Sequence, residues 1–398
     1  MDYPACMPRR LAIVTTGRAD YGILVPVLRA ADAHPGLAPE VYATGAHLSR
    51  PHGHTIDRIE ADAWTIGARV HSEPLDGEGN PPGHPDAADD MPRKTARAVT
   101  GFAEAFIARR PDVCVLLGDR FETLAAAVAA ATAGVPIAHL HGGEITTGAI
   151  DNQFRYAITA LANLHCVATA KARDRLIAMG ESPDAVIRTG APGLDAIAAF
   201  EPMPRAAFGA EVGLPGDGRF LLVTLHPQTI GNIDATAQAG TLVRALEAVG
   251  MPVLATAANQ DPAGSAINAV LEEACARRGW AFSRALGPMY PQAMHHASAM
   301  VGNSSSGIIE AASFGLPVVN IGDRQAGRER SGNVLDCPPE ADAIARTIRD
   351  ALATDGAGIE NIYASPGAGA GELIASAIAS MPLGGSALRK RFEPPGLA

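Results

Sequence analysis

Three carboxylates follow two apolar runs of the sequence closely enough to act together. Asp119 comes directly after "DVCVLLG", while Glu144 and Asp151 lie in "HGGEITTGAID", which follows "VPIAHL". If both runs are neighbouring strands of a parallel sheet, the acids face one crevice, where crowding and burial raise the pKa of carboxyl groups. Such a set suits general acid and base chemistry on a sugar. A structural alternative stays open, because Asp119 could cap the next helix and Asp151 could begin one.

Histidines extend the set of candidate groups. The motif "VTLHPQT" places His226 at the end of the first strand of a second series, across the predicted cleft, where structural and catalytic roles are both open. The pairs His139 with His141 and His295 with His296 could suggest a metal. However, neither has a third ligand at a suitable spacing, and neither belongs to an HExxH pattern. We therefore predict no metal site.

The second half of the chain contains a phosphate-binding pattern, "GNSSSGIIEAASFG" (302–315). A strand runs into the serines and a helix begins at once, so that hydroxyls and helix N-terminal amides form a cradle for phosphate. Glu310 lies about a turn inside this helix, within reach of a ribose. Arg324, Arg328 and Arg330 follow the next strand and could pair with a diphosphate. The alternative is a serine-rich helix cap without a ligand.

The elements that position these groups alternate between strands and helices. Short apolar runs such as "LAIVTTG" and "EVYATG" each precede a helical pattern, and a second series begins near residue 219. This alternation indicates parallel sheets covered on both faces. The predicted fold class is α/β, with two Rossmann-like domains facing a cleft. We expect domains at 1–200 and 201–398, a hinge rich in Pro and Gly at 193–218, and a long loop at 71–94.

Length and composition limit the classes of protein to consider. A chain of 398 residues, 47% hydrophobic and 19% charged, is globular and large enough for two domains. No apolar run reaches the roughly 18 to 20 residues that span a bilayer, and a net charge of -10 argues against a nucleic-acid surface. The segment "MDYPACMPRRLAIVTTG" lacks signal-peptide features, and the five scattered cysteines indicate reduced thiols. We predict a cytoplasmic protein that binds neither membranes nor nucleic acid.

Several motifs resemble those of one enzyme family. "TGRADYG", "LLGDRFETLAAAVAAATAGVPIAHLHGGEITTGAID", "LHPQT" and "GNSSSGIIEAASFGLPVVNIGDRQAGR" occur in the order typical of the UDP-N-acetylglucosamine 2-epimerases, across nearly the whole chain. The resemblance is closest to the hydrolysing branch, which forms N-acetylmannosamine for sialic-acid-type sugars. It implies a glycosyltransferase B type fold, with the sugar and catalytic acids on the N-terminal domain and the nucleotide mainly on the C-terminal domain. It also implies elimination of UDP to a glycal, followed by addition of water that leaves carbon 2 inverted, without a cofactor.

The resemblance also assigns individual residues. The candidates for proton transfer or for stabilisation of the leaving group are Asp119, Glu144, Asp151 and His226. The candidates for nucleotide binding are Arg18, Asn303, Ser304, Ser305, Ser306, Gly307, Glu310 and Arg324. The implied partners are a nucleotide-sugar substrate and further copies of the chain, in a homodimer or homotetramer.

Two positions depart from the family pattern. "IDNQFRY" has Asn152 where the family usually has a second acid, and Tyr156 where it usually has histidine. Asparagine takes no proton and an unperturbed tyrosine titrates far above neutrality, so these changes concern the sugar and the reaction on it. Two alternatives stay open: a glycosyltransferase of the same fold, and a sugar-nucleotide binding protein without catalysis. The base, uracil or guanine, and the sugar substituents at carbons 4 and 6 also stay open.

Overall fold

The computed structural model divides the chain into two compact units. The residues it describes are 7–49, 54–73, 91–215, 218–228, 234–258, 263–385, 388–390 and 392–394. The N-terminal unit comprises Met1–Glu144, Asp151–Ala196 and Tyr363–Ala398, and the C-terminal unit comprises Ile145–Ile150 and Ile197–Ile362. Each unit therefore contains segments that are distant in the sequence.

A parallel sheet forms the centre of the N-terminal unit. Its strands are β1 (Arg9–Thr15), β2 (Leu37–Thr44), β3 (Ile66–Val70), β4 (Val113–Leu117), β5 (Ile137–Leu140), β6 (Leu164–Val167) and β7 (Val186–Arg188). Within the described residues they pair in the order β3-β2-β1-β4-β5-β6-β7, and every pairing is parallel. All residues of β4, β5 and β6 are buried, and all but His139 and His165 are apolar.

Helices cover both faces of this sheet. They are α1 (Arg18–Ala33), α2 (Ile56–Ala61), α3 (Met91–Arg109), α4 (Phe121–Thr132), α5 (Asp151–Leu161), α6 (Ala170–Ala178) and α7 (Gly193–Ala198). Along β1, Leu11 and Ile13 belong to one buried cluster and Ala12 and Val14 to another. Successive side chains of a strand point to opposite faces, so the sheet has a separate core on each side.

The C-terminal unit repeats this architecture. Its strands are β8 (Leu221–Thr224), β9 (Val253–Thr256), β10 (Ala281–Ser283), β11 (Ala299–Gly302), β12 (Val318–Ile321) and β13 (Val334–Cys337). The helices are α8 (Arg205–Val212), α9 (Ala235–Val249), α10 (Gly264–Arg278), α11 (Met289–His296), α12 (Ser305–Ile309) and α13 (Ala341–Ala353). In the part of the unit that is described, the strands pair in parallel in the order β10-β9-β8-β11-β12-β13. The predicted class, α/β with two Rossmann-like units, is confirmed.

The strand order of each sheet reverses at a central point. This point lies between β1 and β4 in the N-terminal unit and between β8 and β11 in the C-terminal unit. In doubly wound sheets, ligands bind outside the carboxyl ends of the strands at such a reversal. Arg18 and Asp119 follow β1 and β4, and His226 and Asn303 follow β8 and β11. Each unit thus presents predicted site residues at its own reversal point.

The division into units differs from the predicted boundary at residue 200. The first crossing, after Ala196, is close to that position, but the chain returns to the N-terminal unit at Tyr363. There α14 (Ala370–Ser380) contributes buried apolar side chains to the same core as α1. Arg9 then fixes the end of this helix by donating hydrogen bonds to the carbonyls of Ile378 and Met381, at 2.8 and 2.7 Å.

Local differences have identifiable causes. The predicted loop 71–94 falls mainly on residues outside the described ranges, and α3 already begins at Met91. The pattern "AIDNQFRYAITALANLH" (149–165) predicts one helix, but the helix runs only from Asp151 to Leu161, because "LHCV" is buried and pairs with β5 as a strand. The helix that follows the serines has five residues and continues as a 3-10 turn, Ala311–Phe314. Gly315, with a positive φ of 60°, ends it.

Candidate functional site

Asp119 forms an ion pair with Arg155 at the end of β4. The Nη2 atom of Arg155, on α5, donates to a carboxylate oxygen of Asp119. The arginine side chain is only 2% exposed, and that of Asp119 is 21% exposed. Asp119 does not cap α4, because Arg120 occupies the N-cap position. The sequence predicted that other acids would crowd Asp119. The structure places a buried guanidinium group against it.

The same arginine holds the backbone beside Glu144. Its Nη1 atom donates to the carbonyl oxygen of Glu144 at 3.0 Å. The side chain of Glu144 is buried, and its Oε1 atom lies 2.6 Å from Nδ1 of His141. His141 directly follows β5 with a φ of 61°, a left-handed backbone that costs energy in a residue other than glycine. A strained loop residue is thus held against a buried carboxylate.

Helix α5 contributes the third acid. Asp151 is its first residue, where the helix dipole favours a negative charge. Residues four apart lie on the same face of a helix, so Asp151 and Arg155 project in the same direction. The structure therefore brings Asp119 and the backbone of Glu144 to one guanidinium group, and Asp151 lies one turn before that arginine on the same helix. Asn152 and Tyr156 are half-buried on the same helix.

His139 connects the elements that carry these acids. Its Nε2 atom lies 2.8 Å from the carbonyl oxygen of Gly118, and its Nδ1 atom lies 3.2 Å from Oγ1 of Thr159 on α5. Burial lowers the pKa of His139 to about 3, so the ring is neutral at physiological pH. His139 is a connecting group between β5, the residue before Asp119 and α5.

Arg18 occupies the other predicted position at the reversal point of the N-terminal unit. It is the first residue of α1 and is exposed. The turn before it is fixed by Asp20, whose carboxylate accepts hydrogen bonds from the amides of Thr16 and Gly17 at 2.6 and 2.8 Å. Arg18 therefore belongs to a different unit from the other predicted nucleotide-binding residues.

His226 and Asn303 are joined at the reversal point of the C-terminal unit. The amide of His226 donates to Oδ1 of Asn303 at 2.7 Å, and Nδ2 of Asn303 donates back to the His226 carbonyl at 2.9 Å. Gly302 precedes them, and a Cβ there would lie 1.8 Å from the carbonyl oxygen of Thr224, so the strands need glycine at this point. Burial, and secondarily Arg324, lowers the pKa of His226 well below 6.5, which leaves the ring neutral at pH 7.

The serine cradle is organised by its own hydroxyl groups. Ser304 is the N-cap of α12 and accepts from the Ser306 amide, so the capping interpretation holds for this serine. Oγ of Ser306 lies 2.9 Å from Oγ of Ser304 and 2.6 Å from Oη of Tyr290. Burial, with Glu310 nearby, raises the pKa of Tyr290 to about 12. Ser305 and Gly307 are the first and third residues of the helix.

The loop after β12 lies against the Asn303 backbone. Nη1 of Arg324 and Nε2 of Gln325 approach the carbonyl oxygen of Asn303 at 3.3 and 3.0 Å. The side-chain amide oxygen of Gln228, oriented towards this loop, accepts from the backbone amide of Arg324 at 3.2 Å. Arg330 forms an ion pair with Asp336. Asn303, Ser304, Ser306 and Arg324 are therefore brought together within one unit.

Residues 145–150 belong to this same unit, although Glu144 and Asp151 on either side do not. The amide of Thr147 donates to the carbonyl oxygen of Ala326 at 3.0 Å. A Cβ on Gly148 would lie 2.2 Å from the carbonyl oxygen of Asp323. The segment between two predicted catalytic acids thus packs directly on the loop that carries Arg324.

Sequence reasoning missed the groups that organise these sites. His141 lies in "HGGEITTGAID" and Arg155 lies in "IDNQFRY". Nothing in the local sequence indicates that the guanidinium of Arg155 contacts Asp119, 36 residues earlier. Tyr290 lies on a separate helix, and its pairing with Ser306 joins residues that are 16 apart in the sequence. A spacing of four residues between Asp151 and Arg155 was the one available signal.

Other predicted properties have partial outcomes. Cys114, Cys166, Cys275 and Cys337 are free and buried, as expected, and Cys6 lies outside the described residues. Over the described ranges, no group of three or more His, Cys, Asp or Glu side chains is arranged to hold a metal ion. No helix in that part of the chain is long and apolar enough to cross a bilayer.

Comparison with known proteins identifies the family. The chain is 36% identical over 349 residues to the UDP-N,N'-diacetylbacillosamine 2-epimerase (hydrolyzing) of Legionella pneumophila, covering 87% of this chain and 89% of that protein. It is 31% identical to the GDP/UDP-N,N'-diacetylbacillosamine 2-epimerase (hydrolyzing) of Campylobacter jejuni, covering 82% and 84%. These matches do not favour a glycosyltransferase.

A solved structure shares the fold. The UDP-GlcNAc 2-epimerase of Neisseria meningitidis, solved with UDP-GlcNAc bound, aligns with a TM-score of 0.74 at 17% identity, over 93% of this chain and 99% of that one. This likeness supports the predicted glycosyltransferase B type fold. The model of the UDP-N-acetylglucosamine 2-epimerase family matches residues 29–379. The chain therefore belongs to the UDP-N-acetylglucosamine 2-epimerase family, and its relatives include the hydrolysing branch.

Proposed function

We propose that the protein is a hydrolysing 2-epimerase of a UDP-activated 2-acetamido sugar. The observation that carries this proposal is the cluster in which Arg155 joins Asp119 to the backbone of Glu144, with Asp151 on the same helix face. Membership of the epimerase family supports the reaction type. The acids of the N-terminal unit act on the sugar, and the nucleotide is held by the C-terminal unit.

The reaction needs proton transfer at carbon 2 and departure of UDP from carbon 1. A carboxylate removes the proton on carbon 2, the C1–O bond breaks, and its electron pair leaves with the diphosphate. The resulting glycal has a double bond between carbons 1 and 2. Water then adds its oxygen to carbon 1, and carbon 2 takes a proton on the opposite face. Asp119, Glu144 and Asp151 are the candidates for these transfers.

The residues of the C-terminal unit suit the departing diphosphate. Arg324 supplies a positive charge, and the hydroxyls of Ser305 and Ser306 supply hydrogen bonds. His226, neutral at pH 7, can donate one hydrogen bond to the leaving group without adding charge. Glu310 is the candidate acceptor for a ribose hydroxyl. The predicted nucleotide-binding residues would thus hold UDP and stabilise it as it leaves carbon 1.

We propose a 2,4-diacetamido sugar as the preferred substrate. Both compared relatives are named for N,N'-diacetylbacillosamine, which carries acetamido groups at carbons 2 and 4. Asn152 and Tyr156 are half-buried on the helix that begins with Asp151. The amide of Asn152 and the phenol of Tyr156 can each donate to and accept from a second acetamido group, whereas a carboxylate at position 152 could only accept.

Incubation in heavy water tests the reaction. The protein is mixed in turn with UDP-N-acetylglucosamine and with UDP-N,N'-diacetylbacillosamine, without an acceptor, and products are followed by phosphorus NMR and mass spectrometry. We expect free UDP, a free sugar inverted at carbon 2, and one deuterium at that carbon. Release of UDP with carbon 2 unlabelled would replace the epimerase by a simple hydrolase. Tight UDP binding without turnover would indicate a binding protein.

Two further properties stay predictions. The sequence features indicate a cytoplasmic location, and the resemblance implies a homodimer or homotetramer. Light scattering after size exclusion measures the mass in solution, to be compared with 40.9 kDa for one chain. A mass equal to a single chain at micromolar concentration would contradict the predicted assembly.

A further inference from the structure

Lys390, which follows α14, contacts the end of the helix that carries Asp151 and Arg155. After α14, the Nζ atom of Lys390 donates to the carbonyl oxygens of Thr159 and Ala162, at 2.7 and 2.6 Å. Thr159 is in the last turn of α5 and Ala162 directly follows the helix, where carbonyl groups lack the usual partner four residues on; the Thr159 carbonyl also accepts from the Ala162 amide at 3.1 Å. A lysine is favoured there, because the helix dipole places partial negative charge at this end. Lys390 therefore caps the C-terminal end of α5.

The lysine is held by a buried acid. Glu181 is 4% exposed, and its Oε1 atom lies 2.6 Å from Nζ of Lys390. The other oxygen of Glu181 lies 3.1 Å from Nε2 of His165, which is fully buried in β6. The amide of Glu393 also donates to the carbonyl oxygen of Gly180, at 3.1 Å. A buried charge pair of this kind is costly to break by removing one partner.

A series of contacts leads from Lys390 to the proposed catalytic acids. Thr159, whose carbonyl binds the lysine, has its hydroxyl 3.2 Å from Nδ1 of His139. His139 in turn binds the carbonyl oxygen of Gly118, directly before Asp119. Arg155 lies one turn before Thr159 on the same helix. The contacts therefore connect the lysine to both elements that carry the Arg155–Asp119 ion pair.

We propose that the C-terminal tail is a positioning element of the catalytic site, with Lys390 as its positioning residue. Lys390 touches no reacting atom. It holds α5 and the Thr159–His139 contact in the geometry that lets Arg155 bind Asp119. This inference rests on the proposed epimerase function of the same acids. Nucleotide binding, which we place in the C-terminal unit, is expected to be independent of it.

The first experiment compares Lys390→Met with Lys390→Arg in the full-length protein. Turnover is expressed per UDP-binding site, counted by calorimetry, so that loss of folded protein does not count as loss of catalysis. We expect Lys390→Met to lower kcat about tenfold or more while KM and the Kd for UDP change less than about twofold. Lys390→Arg retains donors for the carbonyls and is expected to recover at least half of kcat. Arg389→Met, an exposed neighbour, serves as the matched control.

A second variant keeps the test decisive if Lys390→Met fails to fold. Thr159→Val preserves shape and the backbone carbonyl but removes the hydroxyl next to His139. It is expected to lower kcat several-fold, again without a change in the Kd for UDP. Wild-type kcat per binding site in a folded Lys390→Met, or in Thr159→Val where Lys390→Met is insoluble, would overturn the positioning role. If the wild-type protein itself gives no deuterated epimer, the proposed function fails instead.

Discussion

Arg155 and Asp119 form an ion pair that joins the middle of α5 to the end of β4. The guanidinium is buried and also binds the carbonyl oxygen of Glu144 at 3.0 Å. Charge-assisted hydrogen bonds of this kind are directional, because the planar guanidinium presents its donors in fixed positions. The pair therefore sets the orientation of the Asp119 carboxylate and the path of the loop that carries Glu144.

Replacing Asp119 by asparagine tests whether this carboxylate takes part in proton transfer. Asp119→Asn keeps an oxygen that can accept from Arg155 but removes the proton-accepting charge. We expect turnover to fall roughly a hundredfold or more, the range typical of a lost general base. The Kd for UDP, measured by calorimetry, is expected to stay within about twofold of the wild-type value. Asp174→Asn, at an exposed position of α6, is the control. Normal turnover in Asp119→Asn would leave Asp119 with a structural role.

The serine cradle is tested by removing two hydroxyls. The double change Ser305→Ala and Ser306→Ala deletes donors that we assign to the diphosphate, while Ser304 still caps α12. Each hydrogen bond to a charged group contributes about 1.5 to 3 kcal/mol, so loss of even one of the two should lower UDP affinity about tenfold or more. Calorimetry with UDP measures this, with Ser298→Ala as a control in the same unit. An unchanged Kd would exclude these hydroxyls from the nucleotide site.

The fold was predictable from the sequence because its signal is local. Each buried parallel strand reads as an apolar run, and each run in "DVCVLLG" or "VPIAHL" ends where polar residues begin. That ending is enough to place Asp119 and Glu144 at the carboxyl edge of one sheet. The family motifs then supply the order of the elements over the rest of the chain.

The contacts inside the site were not predictable, because they join residues far apart in the sequence. The Arg155–Asp119 pair and the Lys390–Glu181 pair each depend on how α5 and the tail pack on the sheet. A lysine near the end of a polar tail gives no sequence signal of burial. The return of the chain to the N-terminal unit at Tyr363 was missed for the same reason, since α14 looks like any amphipathic helix.

Glu310 gives a prediction for stability against pH. Burial raises the pKa of this carboxyl from 4.5 to about 7. The folded protein therefore holds the proton more tightly than the unfolded chain. Ionisation of Glu310 therefore lowers the free energy of unfolding. This loss is absent below about pH 4.5, grows as the pH rises to 7, and is constant above pH 7. The free energy of unfolding of Glu310→Gln, taken relative to the wild type, is expected to rise by roughly 2 kcal/mol from pH 5 to pH 8.

Urea unfolding without nucleotide, at several pH values, measures this gain. The wild type, Glu310→Gln and the exposed control Glu360→Gln are compared under identical salt. The control, whose side chain is exposed in the folded protein, is expected to keep a constant difference in unfolding free energy from the wild type across the range. A pH-independent difference for Glu310→Gln as well would contradict the raised pKa.

The last prediction concerns Gly148, in the segment between Glu144 and Asp151. A Cβ on this residue would lie 2.2 Å from the carbonyl oxygen of Asp323 and 3.0 Å from Cα of Arg324. Such an approach forces the backbone of one loop to move, because the atoms it meets belong to the main chain. We expect Gly148→Ala to weaken UDP binding about tenfold, since Arg324 follows the displaced loop. Turnover should fall as well, because the ends of the moved segment are two proposed catalytic acids.

Gly332→Ala provides the matched control, because nothing lies within 4 Å of the added Cβ at that position of the same unit. Both variants are assayed for UDP affinity by calorimetry and for turnover with the UDP-sugar. A loss of turnover with unchanged UDP affinity would place the effect on Glu144 and Asp151 and remove Arg324 from the nucleotide site. Normal values for both quantities in Gly148→Ala would mean that the segment 145–150 adjusts freely, and that its packing on the Arg324 loop has no part in the reaction.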